Sequence, residues 1–409
     1  MFYSLKGLEI FKIIYIVYEL MANKYIFSKY ALIGENLDLK QNVKIEIDQD
    51  GRILNIYFDE IIEKTEILSK NQTFLMIPGF INSHVHIGDN FAKELGFNKE
   101  LGETVAPPFG LKHKLLRQTP KDMIIDGIQN AAKEMLANGI TFFIDFREGG
   151  LEGINLLKKA LIDNPINYLT LGRFMDESEI DLVFDNADGV GLSSYKQINT
   201  INKKFIASAK QKFKKIIACH CAEKIRNENL INSMFNDDLV DAIIHGTKFV
   251  KKDLEKIKNK NKSLVLCPRC NGYFGVGFPP INEILNLKIP ISLGTDNLMV
   301  NNPDLFEEIR YLYRISRVLC SYNEKLQISS KNLLKMVTIN AAKNFNLEKE
   351  FGSISKGRFA DFFLVDLSSP NLYSAKLDPN SLYNLITQRV KSENIIQTYI
   401  KGVLTYEKN

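Results

Sequence analysis

A chain of 409 residues is longer than one hydrophobic core serves, so two structural units are expected. Its 53 Lys plus Arg against 48 Asp plus Glu leave a net charge of +5 with both signs spread along the sequence, which argues against the clustered basic face of a nucleic-acid binder. Five cysteines without a framework of even spacings argue against a disulfide scaffold and for a reducing compartment, so a cytoplasmic location is expected.

Residues 1–23 contain one apolar core, "IIYIVY", bracketed by Lys12 and Glu19, far short of the roughly 18 apolar residues that span a bilayer. No small-residue cleavage site of the A-x-A kind follows it, so the segment reads as a packed N-terminal extension, or as an over-long start with Met21 as the true beginning; a signal peptide is the weaker rival. No membrane partner is expected.

Two short β-rich pieces, 24–72 and 353–409, flank the middle of the chain. A few strands without a covering layer are marginal, so the two are expected to pair into one small β-sandwich-like domain. Between them, over 73–352, eight apolar strand-like runs recur at 74–86, 141–148, 167–174, 188–195, 214–223, 241–248, 263–270 and 289–296. Stretches between them, such as "KDMIIDGIQNAAKEMLANGI" (121–140), space their apolar residues as a helix does and end near Gly. Eight β-then-α units predict an α/β fold, a (β/α)8 barrel.

Such barrels carry their chemistry at the C-terminal ends of the strands, and there the polar residues converge. The first run ends in His84 and His86, the fifth in His220 followed by Glu223, the sixth in His245 and the eighth in Asp296, so four of the five histidines fall at one rim. Three neutral imidazoles and a carboxylate make a site for one divalent ion, Zn2+ or alternatively Fe2+, with a position left for water, whose pKa such an ion draws down toward about 7. Glu223 can pass a proton from that water to a departing nitrogen.

Arg147 and Arg173 end the second and third runs, where a guanidinium can hold a substrate carboxylate, phosphate or ring carbonyl, or else pair structurally with Glu148 or Asp176. His113 lies in the loop after the first run, as a lid residue or, with more weight, as solvated surface. Cys219, Cys221, Cys267 and Cys270 raise the question of a second, all-thiolate zinc site; alternation weakens it, because an inward His220 turns its two cysteine neighbours toward the helices.

At "PGFINSHVH", "HCAE", "HG", "CPRCN", "SLGTDN" and "GSISKGRFADFFLVD" the chain resembles the amidohydrolase superfamily, in its branch of metal-dependent deaminases acting on cytosine, guanine and adenosine-type compounds and their chlorohydrolase kin. The resemblance implies that His84, His86, His220 and Asp296 bind one metal, that Glu223 shuttles the proton, that His245 steadies the hydroxide and the group under attack, and that Asp296 takes a proton from the metal water. It implies a metal-dependent hydrolase of non-peptide carbon–nitrogen bonds that deaminates an aminated purine, pyrimidine or related heterocycle. The alternatives are a cyclic-amide or chloro-heterocycle hydrolase and, remotely, an inactive binding or assembly relative. Departures are visible too: the fourth run, "DGVGLSSY", has no lysine to bridge two metals, the chain has no Trp, and Cys270 stands where the family usually has Ser. A small molecule is the expected partner, and a homo-oligomer, most simply a dimer, stays open.

Overall fold

A computed structural model describes residues 23–58, 73–198, 200–320, 328–374 and 378–408. The extension expected over 1–23, Met21 included, lies outside the described residues except for residue 23. The strands, in chain order, are β1 (Lys24–Ile33), β2 (Asp38–Ile47), β3 (Ile53–Tyr57), β4 (Phe74–Pro78), β5 (Phe80–His86), β6 (Ile140–Arg147), β7 (Asn167–Gly172), β8 (Gly189–Leu192), β9 (Ile216–Cys221), β10 (Ala242–His245), β11 (Ser263–Leu266), β12 (Ile291–Leu293), β13 (Asp296–Asn297), β14 (Phe362–Asp366), β15 (Ile395–Ile400) and β16 (Val403–Glu407).

β5 to β12 lie side by side in chain order, and every pairing is parallel. The ring closes through β13, which pairs with β5 so that Asp296 faces Val85 and Asn297 faces His86. This is the (β/α)8 barrel. Its strands are buried on both faces, as parallel strands covered by helices must be; every residue of β6 is buried. Alternation sorts them, with Phe142, Ile144 and Phe146 packing inward against Ala218, Ile244 and Val265, while Phe143 packs outward against the helical layer.

The second sheet runs β16-β15-β14-β4-β1-β2-β3 and takes strands from both ends of the chain. Here one expectation is corrected. The run 74–86 reads as a single barrel strand, but Phe74–Pro78 belongs to the small sheet, parallel to β1 and antiparallel to β14, and only the part after Gly79 enters the barrel. An apolar run buried on both faces has no periodicity to betray such a break, and only the Pro-Gly pair marks it. Gly79 is needed there because a Cβ would lie 2.0 Å from Thr141 Oγ1.

Asp361 pins the two sheets together. Its carboxylate accepts from Asn167 Nδ2 of β7 at 2.8 Å and from the Lys401 amide at 2.7 Å. No helix among the described residues is long and apolar enough to cross a membrane.

Candidate metal centre and active site

His84, His86, His220 and Asp296 meet at the C-terminal rim of the barrel, each offering a ligand atom within 4.8 Å of the others. Two of the imidazoles are oriented by the same device. His86 Nδ1 donates to the Phe146 carbonyl at 3.0 Å and His220 Nδ1 to the Leu192 carbonyl at 2.8 Å, so a lone pair is left on each Nε2, facing the cluster. His84 stands edge-on to Phe146, with ring centroids 4.2 Å apart. Asp296 Oδ1 lies 3.2 Å from His84 Nε2 and 3.4 Å from His86 Nε2.

These groups fit a cation. Both His84 nitrogens and Asp296 Oδ2 are buried without a hydrogen-bond partner, a costly state that a ligated ion relieves. Burial pulls the His84 pKa down to about 3 and that of His220 well below its ordinary value, which keeps both imidazoles neutral and able to ligate. Burial alone would raise Asp296, yet the imidazoles of His84, His245 and His86 hold it well below the usual carboxylate range. Three nitrogens and one carboxylate suit a divalent ion of the zinc or ferrous kind.

His245 reaches the cluster by an unusual backbone. Alternation from the outward Ile243 would aim it at the helices; at φ +73° it instead brings Nε2 to 3.9 Å from Asp296 Oδ2 and 3.6 Å from Glu223 Oε2. Asp296 (φ +61°) is also left-handed, and non-glycine residues held this way gather where function requires them. The Asn271 amide lies 3.2 Å from His245 Nδ1 and donates to Glu223 Oε1 at 3.4 Å. An amide donor at Nδ1 leaves the proton on Nε2, so His245 presents a donor where His86 and His220 present lone pairs. Burial raises the Glu223 pKa, as suits a group that takes up and releases a proton.

Several side chains packed against the cluster carry no mark in the sequence. Lys112 is 3% exposed, on the helix Leu111–Gln118, and its Nζ lies 2.6 Å from Glu148 Oε1 and donates to Asn297 Oδ1 at 2.8 Å. Glu148 Oε1 in turn lies 2.7 Å from His86 Nδ1, so a buried cation, a carboxylate and a candidate ligand form one chain. Asp89 closes it, with Oδ2 3.9 Å from Lys112 Nζ and its pKa pushed up to about 8 by burial. The signal for Asn271 was present in "CPRCN"; nothing in the sequence marked Lys112, which sits beside the His113 that was singled out.

The remaining expectations fall out unevenly. Arg147 takes its structural alternative, pairing with Glu148 Oε2 at 3.0 Å, its guanidinium lying so close to Gly88 that a Cβ there would be 2.0 Å away. Arg173 does not pair with Asp176, whose carboxylate instead caps Ser178. His113 is neither solvated surface nor part of the metal cluster: it is 9% exposed, with Nε2 3.2 Å from the Val105 carbonyl. Cys219 and Cys221 pack on the helix side of β9, whereas Cys267 and Cys270 pack inside the barrel, so the described residues bring no four thiols together. Cys270 Sγ accepts from Asn297 Nδ2 at 3.8 Å, the same amide group that holds Lys112.

A family model, "Amidohydrolase family", matches residues 75–405. An uncharacterized protein of Methanocaldococcus jannaschii is 35% identical over 368 residues, covering 85% of this chain and 91% of its own. A 5-methylthioadenosine/S-adenosylhomocysteine deaminase of Thermoanaerobacter pseudethanolicus is 25% identical over 416 residues, covering 91% of each. Among solved structures, atrazine chlorohydrolase of Arthrobacter aurescens TC1 complexed with zinc aligns with a TM-score of 0.77 at 17% identity, covering 94% of this chain and 95% of that one, a likeness of fold. With a match that runs through both sheets and a relative above 30% identity over most of its length, the chain belongs to the amidohydrolase family.

Proposed function

We propose that the protein hydrolytically deaminates an aminated heterocycle, a purine, pyrimidine or related ring, with one divalent ion, zinc before iron, held by His84, His86, His220 and Asp296. The observation that carries this reading is the convergence of four ligand atoms with orphaned polar groups beside a raised carboxyl, Glu223, and a fixed donor, His245. A bound divalent ion supplies hydroxide at neutral pH and polarises the group under attack. Glu223 accepts the proton given up by the water and delivers it to the departing nitrogen. His245, its proton fixed on Nε2 by Asn271, donates toward the oxygen as it adds. Asp296 takes a second proton during the cycle. The deaminase names among relatives support the C–N reaction, and the chlorohydrolase fold neighbour keeps a chloride leaving group as the second reading.

The reading includes a small-molecule substrate, a cytoplasmic setting, supported by five free cysteines, and a homodimer to be tested by mass photometry. Ammonia release by metal-loaded protein from a panel of aminated pyrimidines, purines, pterins and adenosine derivatives tests the chemistry. Glu223→Gln is expected to keep the metal and to lower turnover by at least about 100-fold, the usual contribution of a placed general acid–base. Near-normal turnover in that variant refutes the mechanism, and chloride release in place of ammonia from chlorinated rings moves the assignment to the second reading.

A further inference from the structure

Two chambers open at the barrel mouth. The inner one, about 150 Å³, is walled by His86, Lys112, His220, Glu223, His245 and Asp296 and has room for little more than a ring. The outer one, about 730 Å³, extends over the ends of β6 and β7. Arg173 belongs to the wall of both, together with Ala106, Pro107 and Ser193.

Arg173 is 6% exposed, its Nε is buried without an acceptor, and among the described residues no carboxylate lies within 4 Å of its guanidinium. A buried charge without a carboxylate in contact is costly, and among the described residues Glu148 offsets this one only through space. The same chamber is electropositive. Of its charged lining, Lys121 pairs with Glu152 at 3.0 Å and Arg147 with Glu148 at 3.0 Å, which neutralises both acids. Arg173 and the exposed Arg117 and Lys196 are left without a carboxylate partner among the described residues.

We infer that the outer chamber is an anion subsite and that the substrate carries a phosphate-monoester tail, which crosses the threshold at Arg173 while the ring occupies the inner chamber. This rests on the deaminase reading for the ring, but not for the tail. A guanidinium binds a phosphate through two parallel hydrogen bonds, and three unbalanced cations match a dianion better than a single carboxylate. The chamber's size points the same way, since a ring alone would leave it empty.

Isothermal titration of the full chain with inorganic phosphate, with succinate as the carboxylate probe, tests the inference. One phosphate per chain is expected, bound more tightly than succinate, weakened at least about tenfold by Arg173→Gln and several-fold by Lys196→Gln. Lys196 is an exposed residue whose replacement does not threaten the fold. Absence of phosphate binding, succinate binding as tightly as phosphate, or unchanged affinity in both variants overturns the assignment. Phosphate binding is read without turnover, so a silent deaminase panel with intact phosphate binding sinks only the reaction, and a deaminase that binds no phosphate sinks only the tail.

Discussion

Gly294 is the position where a single methyl group should damage the metal centre without touching a ligand. An ideal Cβ there lies 2.6 Å from His84 Cβ, 2.6 Å from the His84 carbonyl oxygen and 2.7 Å from the His84 nitrogen, against ordinary contacts that begin near 3.4 Å. Two of those atoms are backbone, which no rotamer change can move, so in Gly294→Ala β5 must separate from the β12–β13 segment by about 0.8 Å. The overpacking costs about 1–3 kcal/mol of stability. It also carries His84 away from Asp296 Oδ1, now 3.2 Å from its Nε2, and a comparable disturbance around a metal ligand costs about 10–100-fold in affinity. Metal content after dialysis against graded chelator, measured by plasma mass spectrometry alongside thermal melts, checks both parts. Gly102→Ala is the control, because a Cβ there meets nothing within 4 Å. Unchanged metal affinity and melting temperature in Gly294→Ala would refute the steric argument, and lower stability with undiminished metal affinity would show that His84 is not a ligand.

Two further outcomes follow from buried charge. Burial pushes the Asp361 carboxyl up to about 7, so between about pH 4 and pH 7 the folded chain keeps a proton that the unfolded chain releases, and stability falls as pH rises through that window. Asp361→Asn should remove a few kcal/mol of that slope, since each pKa unit is worth about 1.4 kcal/mol; identical slopes in urea melts at pH 5 and pH 7.5 would count against it. Lys112→Gln leaves Arg147 as the one Lys or Arg in contact with Glu148 among the described residues and should cost up to about 3 kcal/mol, while Lys112→Gln combined with Glu148→Gln should cost less than the two separately. Strict additivity in that double-mutant cycle would mean that the Lys112–Glu148–His86 chain carries no coupling.

The barrel and its rim were legible because both depend on local patterns. Apolar runs separated by helical spacing must bury two faces, and the residue that ends such a run is carried to the same end of the ring wherever the run lies in the chain. His84, His86, His220, Glu223 and Asp296 could therefore be picked out one strand at a time. His245 was picked out by its place in the chain, yet alternation would have turned it away; a left-handed backbone, invisible in the residue type, brings it in.

Residue types and their spacing were enough for the alternation of elements, the set of candidate metal-ligating side chains and the acid beside them, since side-chain chemistry and periodicity are properties of neighbouring residues. It took the folded chain to show that Phe74–Pro78 leaves the barrel for the small sheet, that Lys112 and not His113 enters the inner chamber, that Glu148 draws Arg147 and His86 together, and that Arg173 stands between two cavities with no carboxylate in contact among the described residues. Each of these depends on which loop or strand closes over which, across up to about 290 residues of chain in the pairing of Phe74 with Asp366, and long-range closure leaves no periodic trace in the residues it joins.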